Sequence, residues 1–311
     1  MVNWLNIWLT AMPGAVAQGM IWGIMAIGVY ITFKVLDVAD LTVDGSICTG
    51  MAVCAVLISK GCNVWLAMLA ATLSGMLAGT LTGIFLTFMG IKPILAGILT
   101  QLSLWSINLK IMGKANIALP SRNFPLLISS LEKPRAIAIV AIIAVALICI
   151  LYWFFGTRFG TAMRATGCNE KMSRAQGINT GMHCIFGLAL SNGLVALAGS
   201  LLAQYSGKAD INDGRGAIVI GLAAIIIGEA IFSRIAKNFI VRLLSVMFGG
   251  VIYYLVYQTV ICLKIDTDLL KMLSAIVVAI FLAIPYWKKT YFSKPKQIKT
   301  APVGKEESED A

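Results

Sequence analysis

Apolar runs long enough to cross a lipid bilayer recur along the whole of this 311-residue chain, and no other property restricts its fold so sharply. In hydrocarbon every backbone N–H and C=O has to be satisfied within the protein, which leaves helices and closed barrels as the spanning forms. The runs are continuous rather than alternating, so they read as helices of about 20 residues each. Length and flanking polarity place about nine of them, with about eight to ten as the range, near 14–33, 43–59, 64–89, 92–112, 136–155, 182–205, 216–233, 238–260 and 268–287. With 59% hydrophobic and 13% charged residues, the chain carries more apolar surface than a soluble domain could bury. The expected class is an all-α polytopic membrane protein.

A net charge of +11 would suggest nucleic acid in a soluble protein, but here Lys and Arg gather in one loop and at the C-terminus. Orientation bias explains that better, and no nucleic-acid partner is expected. The loop at 156–180 holds Arg158, Arg164, Lys171 and Arg174, and the tail holds Lys288, Lys289, Lys294, Lys296, Lys299 and Lys305. Both belong in the cytoplasm on this reading, and the even number of spans between them agrees. Counting back from the loop puts the N-terminus outside. The 113–135 loop then also faces out, although Lys114, Arg122, Lys133 and Arg135 dilute the bias. The start, MVNWLNIWLTAMPGAVAQ, has no basic region and no small-residue cleavage site, so no signal peptide is expected to be removed. Residues 1–290 form the expected transmembrane domain, and 291–311, Lys-rich and then EESED, a cytoplasmic and disordered tail.

Catalytic motifs are missing. The GK pairs at 113–114, 207–208 and 304–305 lack the upstream Gly and the following Ser or Thr of a phosphate-binding loop, and no HExxH or GxSxG occurs. Cysteines at 48, 54, 62, 149, 168, 184 and 262 form no CxxC pair and are read as packing residues. No catalytic residue, metal site or bound cofactor is expected.

Charges inside the runs matter more. Asp37, Asp40 and Asp44 in VLDVADLTVDGS would share one side of a helix drawn through them. Either they are caps and solvated anions at the cytoplasmic boundary, or Thr42, Asp44, Gly45 and Ser46 form an irregular polar segment lining a cavity. Glu229, in GLAAIIIGEAIFSR, is either an intramembrane carboxylate with a function or a residue near the inner end paired with Arg234 or Lys237. Gln101, Lys110 and Gln18 are weaker polar signals, and His183 reads as an interfacial residue. Thr42, Asp44, Ser46, Gln101 and Glu229 are the candidate pathway residues. Gly75, Gly79 and Gly83 recur four apart, which marks a helix face open to close backbone approach.

Within GTRFGTAMRATGCNEKMSRAQGINT, Ala162, Ala165, Cys168, Met172 and Ala175 fall on one side at helical spacing, with Arg164, Lys171 and Arg174 on the other. Gly160, Gly167 and Gly177 interrupt or bound the pattern, which predicts two short helices with a turn. This segment resembles the cytoplasmic coupling loop of permease subunits in bacterial ABC importers of the branched-chain amino acid and simple-sugar type. The matching positions are Arg158, Gly160, Arg164, Ala165, Gly167, Asn169, Ala175, Gly177 and Ile178. IMAIGVYITFKVLDVADLTVDGS and GLAAIIIGEAIF extend the likeness over most of the chain. Two positions depart: Glu170 stands where relatives often have Pro, and DLTVDGS carries an extra Asp44 beside the DLSVGS of sugar-type members.

The resemblance implies a loop, 156–181, that seats in a separate ATPase subunit, which binds the ATP. The coupling positions carried over are Arg158, Gly160, Arg164, Ala165, Gly167, Asn169, Ala175 and Gly177. It also implies an extracytoplasmic solute-binding protein, a second permease copy or paralogue, and a place in the bacterial inner membrane with a cytoplasmic C-terminus. Asp210, Asp213, Asp266 and Asp268 are candidates for contacting the binding protein. The departure at Asp44 favours a small polar solute such as an amino acid. The alternatives are a sugar or nucleoside permease, and an ion-coupled carrier using Asp44 or Glu229. The chain is read as a transporter subunit rather than an enzyme.

Overall fold

The computed structural model describes residues 2–119, 126–232 and 238–262, with residue 124 and isolated positions between 272 and 283. The expected span at 268–287, those positions apart, lies outside the described residues, as do Arg122, Arg234, Lys237, Asp266, Asp268 and the tail. The chain runs through α1 (Val2–Tyr30), α2 (Val43–Ser59), α3 (Val64–Thr87), α4 (Pro93–Met112) and α5 (Lys133–Gly156). Two short helices follow, α6 (Arg158–Cys168) and α7 (Glu170–Ala175), and then α8 (Thr180–Ser206), α9 (Ala217–Phe232) and α10 (Phe239–Cys262). Local chemistry sets many of these ends. Asn63, Asn169 and Asn179 cap α3, α7 and α8 by accepting backbone N–H groups, and Pro93 begins α4. Gly113 and Gly207, at φ 67° and 66°, close α4 and α8 in the left-handed conformation that costs glycine little.

Among the described residues, 6 helices are long and apolar enough to cross a membrane, while α2 and α9, with 17 and 16 residues, are shorter. The protein is an all-α polytopic membrane protein, as its sequence predicts. Leu66, Leu69, Leu73 and Leu77 of α3 and Ile142, Val145 and Ile150 of α5 point outward, as lipid-facing residues do. α8 is the central post, packed against α1, α2 and α3. Its contact with α3 is the predicted glycine face. A β-carbon at Gly75 would strike the Asn192 carbonyl and the Ala196 methyl, one at Gly79 the Leu188 carbonyl, and one at Gly83 the Ile185 backbone.

The ends of the helices divide into two sides. On one, the Lys133 ammonium donates to the Thr10 carbonyl, the Tyr205 hydroxyl to the Gly14 carbonyl, and the Leu119 N–H to the Gly207 carbonyl. A ribbon absent from the sequence reading lies there: β1 (Asn116–Ala118) pairs antiparallel with β2 (Lys208–Asp210), Ile117 opposite Ala209. Three residues are too few for alternation to show. On the other side lie α6 and α7, five passes of the chain from the N-terminus, matching the expected count.

The expected helix through Asp37, Asp40 and Asp44 does not form. α1 loosens into a π-helical turn at Ile31–Val35, Asp37 takes φ 56°, and the chain stays non-helical until α2 begins at Val43. The three carboxylates therefore point to different partners. Asp tolerates the left-handed conformation because its short side chain can bond locally. The irregular stretch covers 36–42, so Asp44, Gly45 and Ser46 sit in the first turn of α2 rather than in a loop.

Candidate functional site

Two short helices begin at one level and run apart. α2 follows α8 toward the ribbon side: the Ser46 hydroxyl bonds Asn192, Gly50 abuts Ala196, and the Cys54 thiol reaches the Ser200 carbonyl. α9 runs the other way along α1, with Gly221 against Met25 and Val29 and Glu229 beside Lys34. Their N-termini meet near Asn192, about midway along α8. Asp44 joins them directly, its two oxygens accepting the Gly216 and Ile218 N–H groups at 2.9 Å each. The carboxylate thus satisfies orphan donors at the start of α9 and faces its positive dipole end. Gly214 lets the preceding turn press onto the Asp44 carbonyl and the Cys48 sulfur, where no β-carbon would fit. Half-helices with N-termini meeting inside a membrane fold are a recurring way to build a solute site.

Beside this junction runs a hydrogen-bonded polar seam. Asp40, 3% exposed, accepts the Thr42 N–H at 2.9 Å and the Asn192 amide at 2.7 Å. The Asn192 oxygen accepts the Ser46 hydroxyl at 2.6 Å, and the Thr42 hydroxyl lies 2.7 Å from that of Thr82, which donates to Thr100. Thr42 and Ser46 are therefore spent in buried packing, whereas Asp44 and Gln101 line an open cavity together. Of the three carboxylates read as caps or solvated anions, Asp37 is exposed and Asp44, partly exposed, is a cap, though of the distant helix α9, whereas Asp40 is buried and held by the nearby Thr42 N–H and the remote Asn192 amide.

Glu229 stands apart from these four. It pairs with Lys34 at 3.0 Å, both side chains about 40% exposed, at the α6–α7 end of α9. The expected partners Arg234 and Lys237 lie outside the described residues. His183 lies in the first turn of α8, at the α6–α7 end, where it is buried against α6: it stacks on Phe159 at 4.4 Å and its Nδ1 lies 2.7 Å from the Asn179 carbonyl. Of the cysteines, Cys48 and Cys54 are buried packing residues, while Cys62, Cys149 and Cys168 are exposed.

The basic loop folds as two short helices, but its glycines do other work than turning. Gly160 and Gly167 are inside α6, where Gly160 packs on the Phe154–Phe155 backbone and Gly167 on that of Val35 and Leu36. The break falls instead at Asn169, extended at φ −158° and capping α7 through Met172 N–H, and only Gly177 takes a positive φ. Gly160, Met163 and Thr166 form the buried face of α6, and Ala162 and Ala165 are half-buried. Arg164 lies over the Phe239 ring at 5.3 Å, and Arg174 binds Glu170 and the Thr180 hydroxyl. Arg158, Cys168, Asn169, Lys171, Met172, Ala175 and Gly177 remain exposed.

On the ribbon side, Asp210 accepts from the Asn116 amide and the Asn212 N–H, and Asp213 pairs with Lys208. Asp266 and Asp268 are outside the described residues. Sequence reasoning missed Asp40 and Asn192 as partners, and Asn108 and Arg215 altogether. Asn108 was visible in principle, since it lies seven residues after Gln101 and so on the same helix face.

Helices of membrane length around a polar junction, with a basic helix pair at one end, define a multi-pass membrane transport protein. Residues 12–284 match the family described as branched-chain amino acid transport system / permease component. The chain is 40% identical over 278 residues to a tyrosine transport system permease protein of Clostridioides difficile, covering 88% of this chain and 91% of that one. It is 33% identical over 285 residues to an uncharacterized protein of Rickettsia prowazekii, covering 90% and 98%. A fructose import permease protein of Bifidobacterium longum is 25% identical over 250 residues, covering 78% and 68%. No solved structure matches. The chain belongs to the branched-chain amino acid transport system permease family and is the permease component of an ABC-type import system.

Proposed function

We propose that this permease carries an amino acid into the cell when a separate ATPase subunit, which binds the ATP, moves α6 and α7. One observation carries the reading: Gly167 of α6 sits directly on the Val35–Leu36 backbone, where α1 ends and the 36–42 link to the α2–α9 junction begins. Displacing α6 therefore displaces the link, and through Asp40 and Asn192 it bears on the start of α2. Exposed Arg158, Asn169, Lys171 and Met172 form the surface offered to the ATPase. On this reading the α6–α7 side and the C-terminus are cytoplasmic, 1–290 is the permease domain and 291–311 a tail. A binding protein docks on the ribbon side, near Asp210 and Asp213, and a second permease copy or paralogue completes the pathway. The relative named for tyrosine favours an amino acid over the fructose named for the more distant one.

The test is uptake of labelled tyrosine into proteoliposomes holding the complete complex, with ATP supplied on the α6–α7 side. Uptake that follows ATP and survives an ionophore supports the importer. Uptake that collapses with the ion gradient at constant ATP establishes the ion-coupled alternative instead.

A further inference from the structure

The cavity of about 180 Å³ lined by Asp44, Gln101, Trp105, Asn108 and Arg215 holds an anomaly. Asn108 is only 1% exposed, yet neither its amide nitrogen nor its amide oxygen has a hydrogen-bond partner. A buried unpaired amide costs about 1–3 kcal/mol, and such groups in a folded protein need an explanation. Two further polar side chains that line the cavity, the Gln101 amide and the Arg215 guanidinium, make no hydrogen bond or ion pair among the described residues. Arg215 stands in the turn that precedes α9, an exposed cation that lines the cavity together with Asp44 and Asn108.

We propose that this cavity holds the head group of an α-amino acid in passage, its carboxylate on Arg215 and its ammonium on Asp44, with the Asn108 amide bridging them. The proposal rests on the importer reading above and assigns the solute contacts within it. A zwitterion cannot enter a low-dielectric interior unless each charge meets a counter-charge or a hydrogen-bonding group. Here one cation and one anion line the same cavity as the Asn108 amide, which can donate to a carboxylate and accept from an ammonium. Asp44 retains acceptor capacity beyond the two backbone N–H groups it binds, since a carboxylate offers about four lone-pair sites. Trp105 and Leu102, exposed on the same stretch of α4, supply an apolar shelf for the side chain. A neutral sugar would use the amides and leave Arg215 without purpose.

The complete complex in proteoliposomes tests this, with L-tyrosine as the probe and tyrosine imported per ATP hydrolysed as the readout. That ratio does not move when a variant merely folds in smaller amount. Arg215→Gln and Asn108→Leu are each expected to lower it by about tenfold or more, while Arg215→Lys, which keeps the charge, retains most of it. An unchanged ratio in both Arg215→Gln and Asn108→Leu rejects the site. Equal losses in Arg215→Lys and Arg215→Gln also reject it, because only shape is then being read. A wild-type complex that imports no tyrosine rejects the amino-acid reading itself, so the two failures are distinct.

Discussion

Asn192 is a single residue on which three segments depend. Its amide nitrogen donates to Asp40 and to the Leu188 carbonyl, and its oxygen accepts from Ser46. Replacing it with Leu leaves a buried carboxylate and a buried hydroxyl short of partners, so Asn192→Leu is expected to destabilise the protein by about 3–5 kcal/mol. Thermal unfolding of the purified protein in detergent measures this as a lowered midpoint. Glu229 is the contrasting case. Its pair with Lys34 is about 40% exposed on both sides, and such pairs contribute about 0–1 kcal/mol. Glu229→Gln is therefore expected to shift the midpoint little and to leave uptake within about twofold, whereas a collapse of uptake would return it to the pathway. The sequence shows both residues as polar intruders in apolar runs. It does not distinguish them, because their difference lies in partners remote along the chain.

At the scale of elements, α6 and α7 separate two tasks that the periodic pattern ran together. The face at Gly160, Met163 and Thr166 holds α6 to the membrane helices, and the exposed positions of α7 look away from them. Gly167→Val places carbon where the Val35 carbonyl already is, with backbone on the other side that cannot yield. Its expected effect is uncoupling: ATP hydrolysis persists while tyrosine imported per ATP falls about tenfold. Met172→Asp changes an exposed side chain instead, and is expected to leave the melting midpoint unaltered while the ATPase subunit is lost on purification. Co-purification and melting curves of the two variants check both outcomes, and a swap of the phenotypes would reverse the assignment. Helical spacing made the two-helix form of this loop legible. The roles of its glycines were not, since a glycine that turns and a glycine that packs look alike until the opposing backbone is known.

For the whole molecule, the function proposed above gives the two ends different partners, with Asp210 and Asp213 on the ribbon side facing a binding protein. Reversing both charges, Asp210→Lys with Asp213→Lys, is expected to weaken the stimulation of ATP hydrolysis by liganded binding protein several-fold, about 1 kcal/mol of lost contact. A titration of binding protein against hydrolysis rate checks it, and an unmoved curve removes both residues from the docking surface. The sequence alone determined the membrane class, most helix positions and the family, because a bilayer imposes lengths and an apolar character that every run displays without reference to its neighbours. It also marked the glycine face of α3, since spacing along one helix is a local property. Only the tertiary structure decided that α2 and α9 start together at the middle of the fold, that Asp44 caps α9, and that Asn108 and Arg215 share a cavity. Those pairings join residues more than a hundred positions apart, and nothing in a local pattern records which distant donor a buried acceptor will meet.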